Sequence, residues 1–307
     1  MERAFIVLSA LLLNAVSAGP RRIYVGLGLT RLSRWPAQRV RDLERKLNRS
    51  HRSLTERETR GMILVGVVFL GSLLAGGLGG LLFQHNLRFV ELLIVTILLP
   101  VRPTWDIASR IRKCLQAGDM AGARQALEGT AWKHHALLDE YGVARAAIEM
   151  LAVHFSEKIL APAVWYLLFG LPGLLLSKAA WLLRETLASD PAFGQAAKAA
   201  HVLLHYLPSR LAALLWLSAS LFLPSCRASD IIKQVTPALI KTSPPLLALL
   251  SAAGALRLSL GGPASVYAGK QWLGSGSARP GATDIRRALT LFALLHLLLF
   301  ILVGFFL

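Results

Sequence analysis

The chain has 307 residues, of which 54% are hydrophobic and only 17% charged, against about 25% charged in a typical soluble domain. Its mean hydropathy is +0.53, and the apolar residues fall in blocks near the length of a membrane-spanning helix, about 20 residues, which excludes an ordinary soluble globule. The net charge of +17 comes with no RNA-recognition signature, zinc-finger spacing or basic folded domain. Nucleic acid is therefore excluded as a partner, and the excess is assigned to basic loops beside anionic membrane lipid. Cys114 and Cys226 have neither metal nor redox spacing and imply no disulfide framework.

The first apolar run, 4–19, ends in Val16-Ser17-Ala18, a small-residue pattern like a signal-peptide cleavage site. The Arg and Lys residues that crowd the stretch from Arg21 to Arg60 resist translocation. The run is therefore expected to remain as a first helix with its N-terminus outside, and 20–61 to be a basic cytoplasmic loop. Met62 to Phe83 is the clearest span, its glycines suited to close packing between membrane helices. Leu87 to Val101 closes a helical hairpin that ends at Pro100 and Pro103, with Glu91 near its start.

Charge returns with amphipathic spacing between Thr104 and Lys158, and Gly118-Asp119 reads as a turn. The segment 104–158 is expected to form a cytoplasmic or interfacial helical hairpin. Ile159 to Ser177 is apolar but interrupted by Pro162 and by Leu171-Pro172-Gly173, which predicts a kinked, re-entrant or discontinuous helix. Leu203 to Leu223 carries His205, Pro208 and Arg210 in its first third, and an arginine there needs polar company. Pro237 to Leu260 and Ala288 to Leu307 complete the set around a Gly-rich loop, 261–281. The fold class is an all-α polytopic membrane helical bundle, one integral membrane domain over 1–307, with about six or seven crossings by the length criterion.

The common soluble-enzyme motifs are missing: no GxxxxGK[ST], no dinucleotide-binding turn after a strand, no HExxH and no GxSxG. Gly76-Gly77-Leu78-Gly79-Gly80 lies inside a span, where helix packing accounts for it. Five histidines stand out: His134, His135, His154, His201 and His205. The last two are spaced i, i+4, so they share a helix face and could bind one metal; with no third ligand nearby in sequence, two interfacial histidines, solvated or satisfied by hydrogen bonds, are the better account of the spacing.

A run of segments then carries a resemblance. It starts with Leu115, Gly118-Asp119 and Ala123-Arg124, followed by Leu138-Asp139-Glu140 and Arg145-Ala146-Ala147-Ile148-Glu149. Ala161-Pro162, Trp165-Tyr166, Gly170-Leu171-Pro172-Gly173 and Pro208-Ser209-Arg210-Leu211 follow. Ser243-Pro244, Ala253-Gly254-Ala255-Leu256, Gly261-Gly262-Pro263 and Tyr267 close the run. In this order and at these intervals the chain, from Leu115 to its C-terminus, resembles the CobD/CbiB family of cobalamin-biosynthesis membrane proteins, and the part before Leu115 agrees in layout.

The resemblance implies an adenosylcobinamide-phosphate synthase of the bacterial inner membrane, a multi-pass protein using ATP and Mg²⁺. It would join aminopropanol or its phosphate to a carboxylate of adenosylcobyric acid. Several polar motif positions differ from the family: Asn14 stands for an Asp, Lys133-His134-His135 for RDT, and Val153-His154 followed by Glu157 for EN…D. Before Pro208, His201-Val202 and His205 stand for DD…N. Carried onto this chain, the catalytic candidates are Glu149, Glu157, Lys133 and Arg210, the two acids to hold a cation and the two bases to neutralise phosphate. His134, His154, His201, His205 and Ser243 are the candidates for binding substrate, a corrinoid or other tetrapyrrole-like molecule, and no metal-ligand set is assigned. Two further readings stay open: a catalytically degenerate or repurposed member with a ligand-binding or regulatory membrane role, as in the related AmpE proteins, and a transporter.

Overall fold

A computed structural model describes residues 1–16, 29–49, 53–83, 87–128, 130–132, 135–188, 190–223, 228–305 and 307. The chain is helical almost throughout and divides into two compact units: residues 1–99, 161–206 and 307, and residues 100–160 and 207–306. Among the described residues four helical stretches are long and apolar enough to cross a membrane: Leu54–Leu82, Arg88–Gln116 (two helices meeting at Leu99-Pro100), Gln195–Leu221 and Ala282–Gly304. The chain is a membrane protein of the expected all-α class. The remaining apolar runs of the sequence form shorter helices.

The first unit opens with α1 (Glu2–Val16), α2 (Leu29–Leu47), α3 (Leu54–Leu82) and α4 (Arg88–Leu98). Ser53 caps α3 by accepting the Glu56 N–H, and Glu56 returns the bond to the Ser53 N–H. The basic segment 20–61 is thus largely helical where it is described. Arg57 pairs with Asp190, which also accepts from Asn48 at 2.9 Å and from the Phe193 amide at 2.8 Å. This ties the polar start of α3 to the loop at 190–194, above an apolar cluster of Val40, Leu64, Val65, Leu183, Leu187 and Phe193.

The second unit holds α5 (Val101–Gln116), α6 (Met120–Ala126) and α7 (Glu140–Val153). As expected, Gly118-Asp119 makes the turn: Gly118 has φ of +71°, and Asp119 accepts the Gly122 N–H at 2.8 Å. From His154 to Leu160 the helix widens into a π-helical stretch and continues as α8 (Ala161–Phe169) in the first unit.

The interruption predicted at Pro162 is absent, and the π stretch is the reason. Proline lacks an N–H and its ring crowds the carbonyl four residues back; an i→i+5 stretch just before it widens the helix at that point. The second predicted interruption, at Leu171-Pro172-Gly173, is present: the helix breaks at Gly170, whose φ of +70° only glycine adopts freely, before α9 (Leu171–Leu187) begins with Pro172 in its first turn.

α10 (Gln195–Leu221) also contains an interior proline, Pro208. Its missing N–H frees the Leu204 carbonyl, and the Trp165 indole N–H donates to that oxygen at 2.8 Å. The second unit then adds α11 (Ala228–Val235), α12 (Pro244–Leu256) and α13 (Ala282–Gly304). The Gly-rich loop before α13 carries a two-stranded antiparallel ladder, Leu260–Gly261 against Trp272–Leu273.

Candidate functional site

In the second unit, α7 is buried on nearly every side from Gly142 to Val153. Glu149 on this helix is 1% exposed. One carboxylate oxygen accepts the Gly261 N–H at 2.7 Å and the other accepts the Ser265 hydroxyl at 2.6 Å. Ser265 in turn accepts from the amides of Tyr267 and Ala268. Burial drives the Glu149 carboxyl up to about 7, against the Ser265 and Gly261 hydrogen bonds and the Arg145 charge, all of which pull it down.

One turn earlier, Arg145 lies over the Trp272 ring at 4.7 Å and donates to the Ala278 carbonyl at 2.6 Å. Burial lowers its pKa, partly offset by Glu149 and Asp139. Glu149 thus fastens the start of the Gly-rich loop, and Arg145 its middle and end, to one helix.

That loop bounds a polar cavity of about 630 Å³, whose walls include Asp230, Arg257, Ser275, Gly276, Asp284 and Arg287. Arg257 ends α12 in the left-handed conformation with φ of 57° and pairs with Asp230 at 3.4 Å. Asp284 pairs with Arg287 at 3.1 Å and accepts the Gly281 N–H at 3.0 Å, capping α13. Gly276 must be glycine, since a Cβ there would stand 1.9 Å from the Arg257 carbonyl oxygen. Two carboxylates and two guanidiniums therefore face one cavity beside the tight Ser275-Gly276-Ser277 turn. Carboxylates of this kind can hold Mg²⁺ together with a phosphate ligand, and guanidiniums can balance phosphoryl charge.

The residues picked out in the sequence fall in several places. Glu149 is committed to the loop. His154 and Glu157 share the π stretch, both buried. His154 Nδ1 lies 3.1 Å from Thr104 Oγ1, whose proton goes to the Pro100 carbonyl, so the imidazole is the donor of that pair. Arg210 donates to the Leu239 and Thr242 carbonyls at 2.8 and 2.9 Å and to Ser209, which supplies the polar company its position demands. Ser243 follows directly as the N-cap position of α12, so Arg210 holds the chain that leads into it.

His201 and His205 belong to the first unit. Their rings stack 4.2 Å apart on one helix face, as the i, i+4 spacing requires. Lys133 and His134 lie outside the described residues. Among the described residues, no three His, Cys, Asp or Glu side chains are placed to hold one metal ion. Sequence reasoning missed Asp230, Arg257, Asp284 and Arg287. Their only local signal was the Asp284-x-x-Arg287 spacing at the start of the last helix.

The model of the CobD/Cbib protein family matches residues 7–292. The chain is 30% identical to the cobalamin biosynthesis protein CobD of Brucella suis, over 95% of this chain and 93% of that one. It is 32% identical to the Brucella anthropi CobD protein, covering 81% of this chain and 80% of the relative. Against the Rhodobacter capsulatus CobD protein it is 34% identical over 62% of each chain, so this match spans less than two thirds of that relative's length. No solved structure matches the chain.

Proposed function

The chain belongs to the CobD/Cbib protein family, and on that basis we propose that it acts in cobalamin biosynthesis as a membrane-bound, amide-forming ligase. The substrates are adenosylcobyric acid and aminopropanol or its phosphate, and the driving force is Mg²⁺-ATP. The observation that carries this reading is the polar cavity of the second unit, lined by the ion pairs Asp230–Arg257 and Asp284–Arg287. Mg²⁺ usually keeps its waters and takes only one or two protein carboxylates beside substrate phosphates. The two aspartates fit that need, even though several family acids are replaced elsewhere in the chain.

In this reading Mg²⁺-ATP, when bound, supplies an activated phosphoryl group. Asp230 and Asp284 are the residues that would hold the cation, and Arg257 and Arg287 those that would neutralise charge on the phosphates. Glu149 and Arg145 are positioning residues: they hold the loop that carries Ser275 and Gly276. Arg210 positions the segment before Ser243, and Glu157 and His154 line the same helix beyond Glu149. The protein is placed in the bacterial inner membrane as a multi-pass protein, with the basic segments 20–61 and 104–158 on the cytoplasmic side, where ATP is found.

The test is complementation of a strain that cannot convert adenosylcobyric acid to adenosylcobinamide phosphate, on medium where growth requires that step. Rescue by the full chain, lost in Asp284→Asn at unchanged membrane abundance, is the expected result. Failure to rescue by a chain that is folded and abundant in the membrane would overturn the ligase assignment. It would favour the repurposed reading, for which the buried, stacked His201 and His205 pair is the motivating feature.

A further inference from the structure

The first unit contains a second cavity, of about 290 Å³, with charged and apolar walls, which the proposed ligase chemistry does not use. Glu2 and Arg3 of α1, Arg88 and Glu91 of α4, and the last turns of α3 surround it. Arg88 pairs with Glu2 at 2.9 Å, and the Tyr166 hydroxyl donates to Glu91 at 2.7 Å. Arg3 donates to the Leu168 carbonyl at 2.7 Å, which closes the end of α8. The walls thus offer two cations and two anions, with no net charge.

A simple anion here would meet two carboxylates, and a simple cation two guanidiniums; a zwitterion meets both signs with complementary groups. Beside it lies a largely apolar groove of about 540 Å³, walled by Phe5, Phe89, Leu92 and Leu307. Glu2, Ile6 and Arg88 belong to both walls. A ligand filling the two together has a zwitterionic head and a hydrocarbon tail. The cavity also lies at the far end of the apolar span of α3 from its charged start at Glu56 and Arg57, at the depth where headgroups reside.

We propose that this cavity is a specific site for an aminophospholipid of the phosphatidylethanolamine type. The phosphate lies against Arg3 and Arg88, the ammonium against Glu2 and Glu91, and one acyl chain follows the groove past Phe5 and Phe89. Gly77 and Gly80 make the room: a Cβ at either position would meet nothing within 4 Å. This proposal is independent of the ligase assignment.

The experiment is native mass spectrometry of the full chain released from detergent, together with thermal unfolding of delipidated protein titrated with defined lipids. One phosphatidylethanolamine is expected to stay with each chain, binding about tenfold tighter than phosphatidylglycerol, a difference of about 1.4 kcal/mol. Free phosphoethanolamine is expected to give no shift. Arg88→Gln removes one charge, whereas Gly77→Leu fills the cavity and leaves every charge in place; each is expected to weaken lipid retention about tenfold. Gly66→Leu, on the same helix but away from the cavity, is the control and retains lipid. Equal binding of phosphatidylglycerol, full retention in Gly77→Leu, or binding of free phosphoethanolamine as tight as that of the lipid would each overturn the proposal.

Discussion

Two apolar helical stretches of this chain do opposite work. α3 exposes Leu70, Leu74, Leu78 and Leu81 and buries only Gly61, Leu64, Val65 and Gly76. α7 buries Gly142 to Val153 almost without exception and carries a carboxylate into that interior. Hydropathy records the cost of leaving water and does not distinguish lipid from protein as the apolar surroundings. What separates the two helices is what each apolar face meets. α3 meets its neighbours closely at Gly61 and Gly76 and leaves Leu70, Leu74, Leu78 and Leu81 outward, whereas α7 is surrounded by its own unit and organises a loop through Glu149.

The sharpest way to break that contrast is to remove the buried carboxylate. Glu149→Ala leaves the Gly261 N–H and the Ser265 hydroxyl without their acceptor, at a cost of about 3 kcal/mol, read from thermal unfolding in detergent. Glu149→Gln keeps the shape and gives a second readout. The wild-type carboxyl sits near 7 in the fold against an ordinary 4.5. Between these values the unfolded chain has lost a proton that the folded chain still holds. Stability therefore falls by about 3 kcal/mol as pH rises from 4.5 to 7, and this component is flat on either side. Glu149→Gln should remove that slope. An unchanged pH profile in the variant would mean that the carboxyl is not held in an apolar interior.

Next in size is the packing of α3 itself. A Cβ on Gly76 would come within 2.5 Å of the Pro172 backbone, which has no flexible side chain to move aside. Gly76→Ala is expected to cost about 2 kcal/mol through displacement of the α3 and α9 contact. Unfolding at the wild-type temperature would show that this approach is looser than the geometry indicates.

A smaller effect is expected at the polar start of α3. Burial raises the Asp190 carboxyl, but Asn48, the Phe193 and Ala192 amides and Arg57 outweigh it and hold the pKa below 3.8. The sign is opposite to that of Glu149: this contribution is present above 3.8 and is lost as pH falls through the depressed value. Asp190→Ala should cost about 1–2 kcal/mol at neutral pH. The loss should shrink in acid, where the wild-type residue is itself protonated.

How much of this was legible in the sequence depended on how local each signal was. The span at 62–83, the Gly118-Asp119 turn and the shared face of His201 and His205 all rest on neighbours within a few positions, and each is present. Of the two interruptions predicted between 159 and 177, the one at Leu171-Pro172-Gly173 is present and the one at Pro162 is not, because a π-helical stretch at 154–160 accommodates that proline and no residue pattern announces the stretch. Pro208 remains inside its helix because Trp165, 39 residues away from Leu204, takes up the freed carbonyl. The cavity in the second unit was illegible for a related reason. Asp230, Arg257 and Asp284 sit on three separate segments, and it is the loop fastened by Glu149 and Arg145 that brings them to one wall.

The smallest expected effect is the most direct control on the opening contrast. Gly66 and Gly71 sit on the same helix as Gly76, yet a Cβ at either would meet nothing within 4 Å. A helix-interior glycine that contacts nothing carries only its conformational cost, about 0.5–1 kcal/mol relative to alanine in water. Gly66→Ala is therefore expected to leave the unfolding temperature unchanged or raise it slightly, with stability gained by about 0.5 kcal/mol. Measured beside Gly76→Ala, it separates two roles that one residue type fills along one span: close approach to a neighbour, and an open face toward lipid. If Gly66→Ala proved as damaging as Gly76→Ala, a partner would have to cover that face of α3.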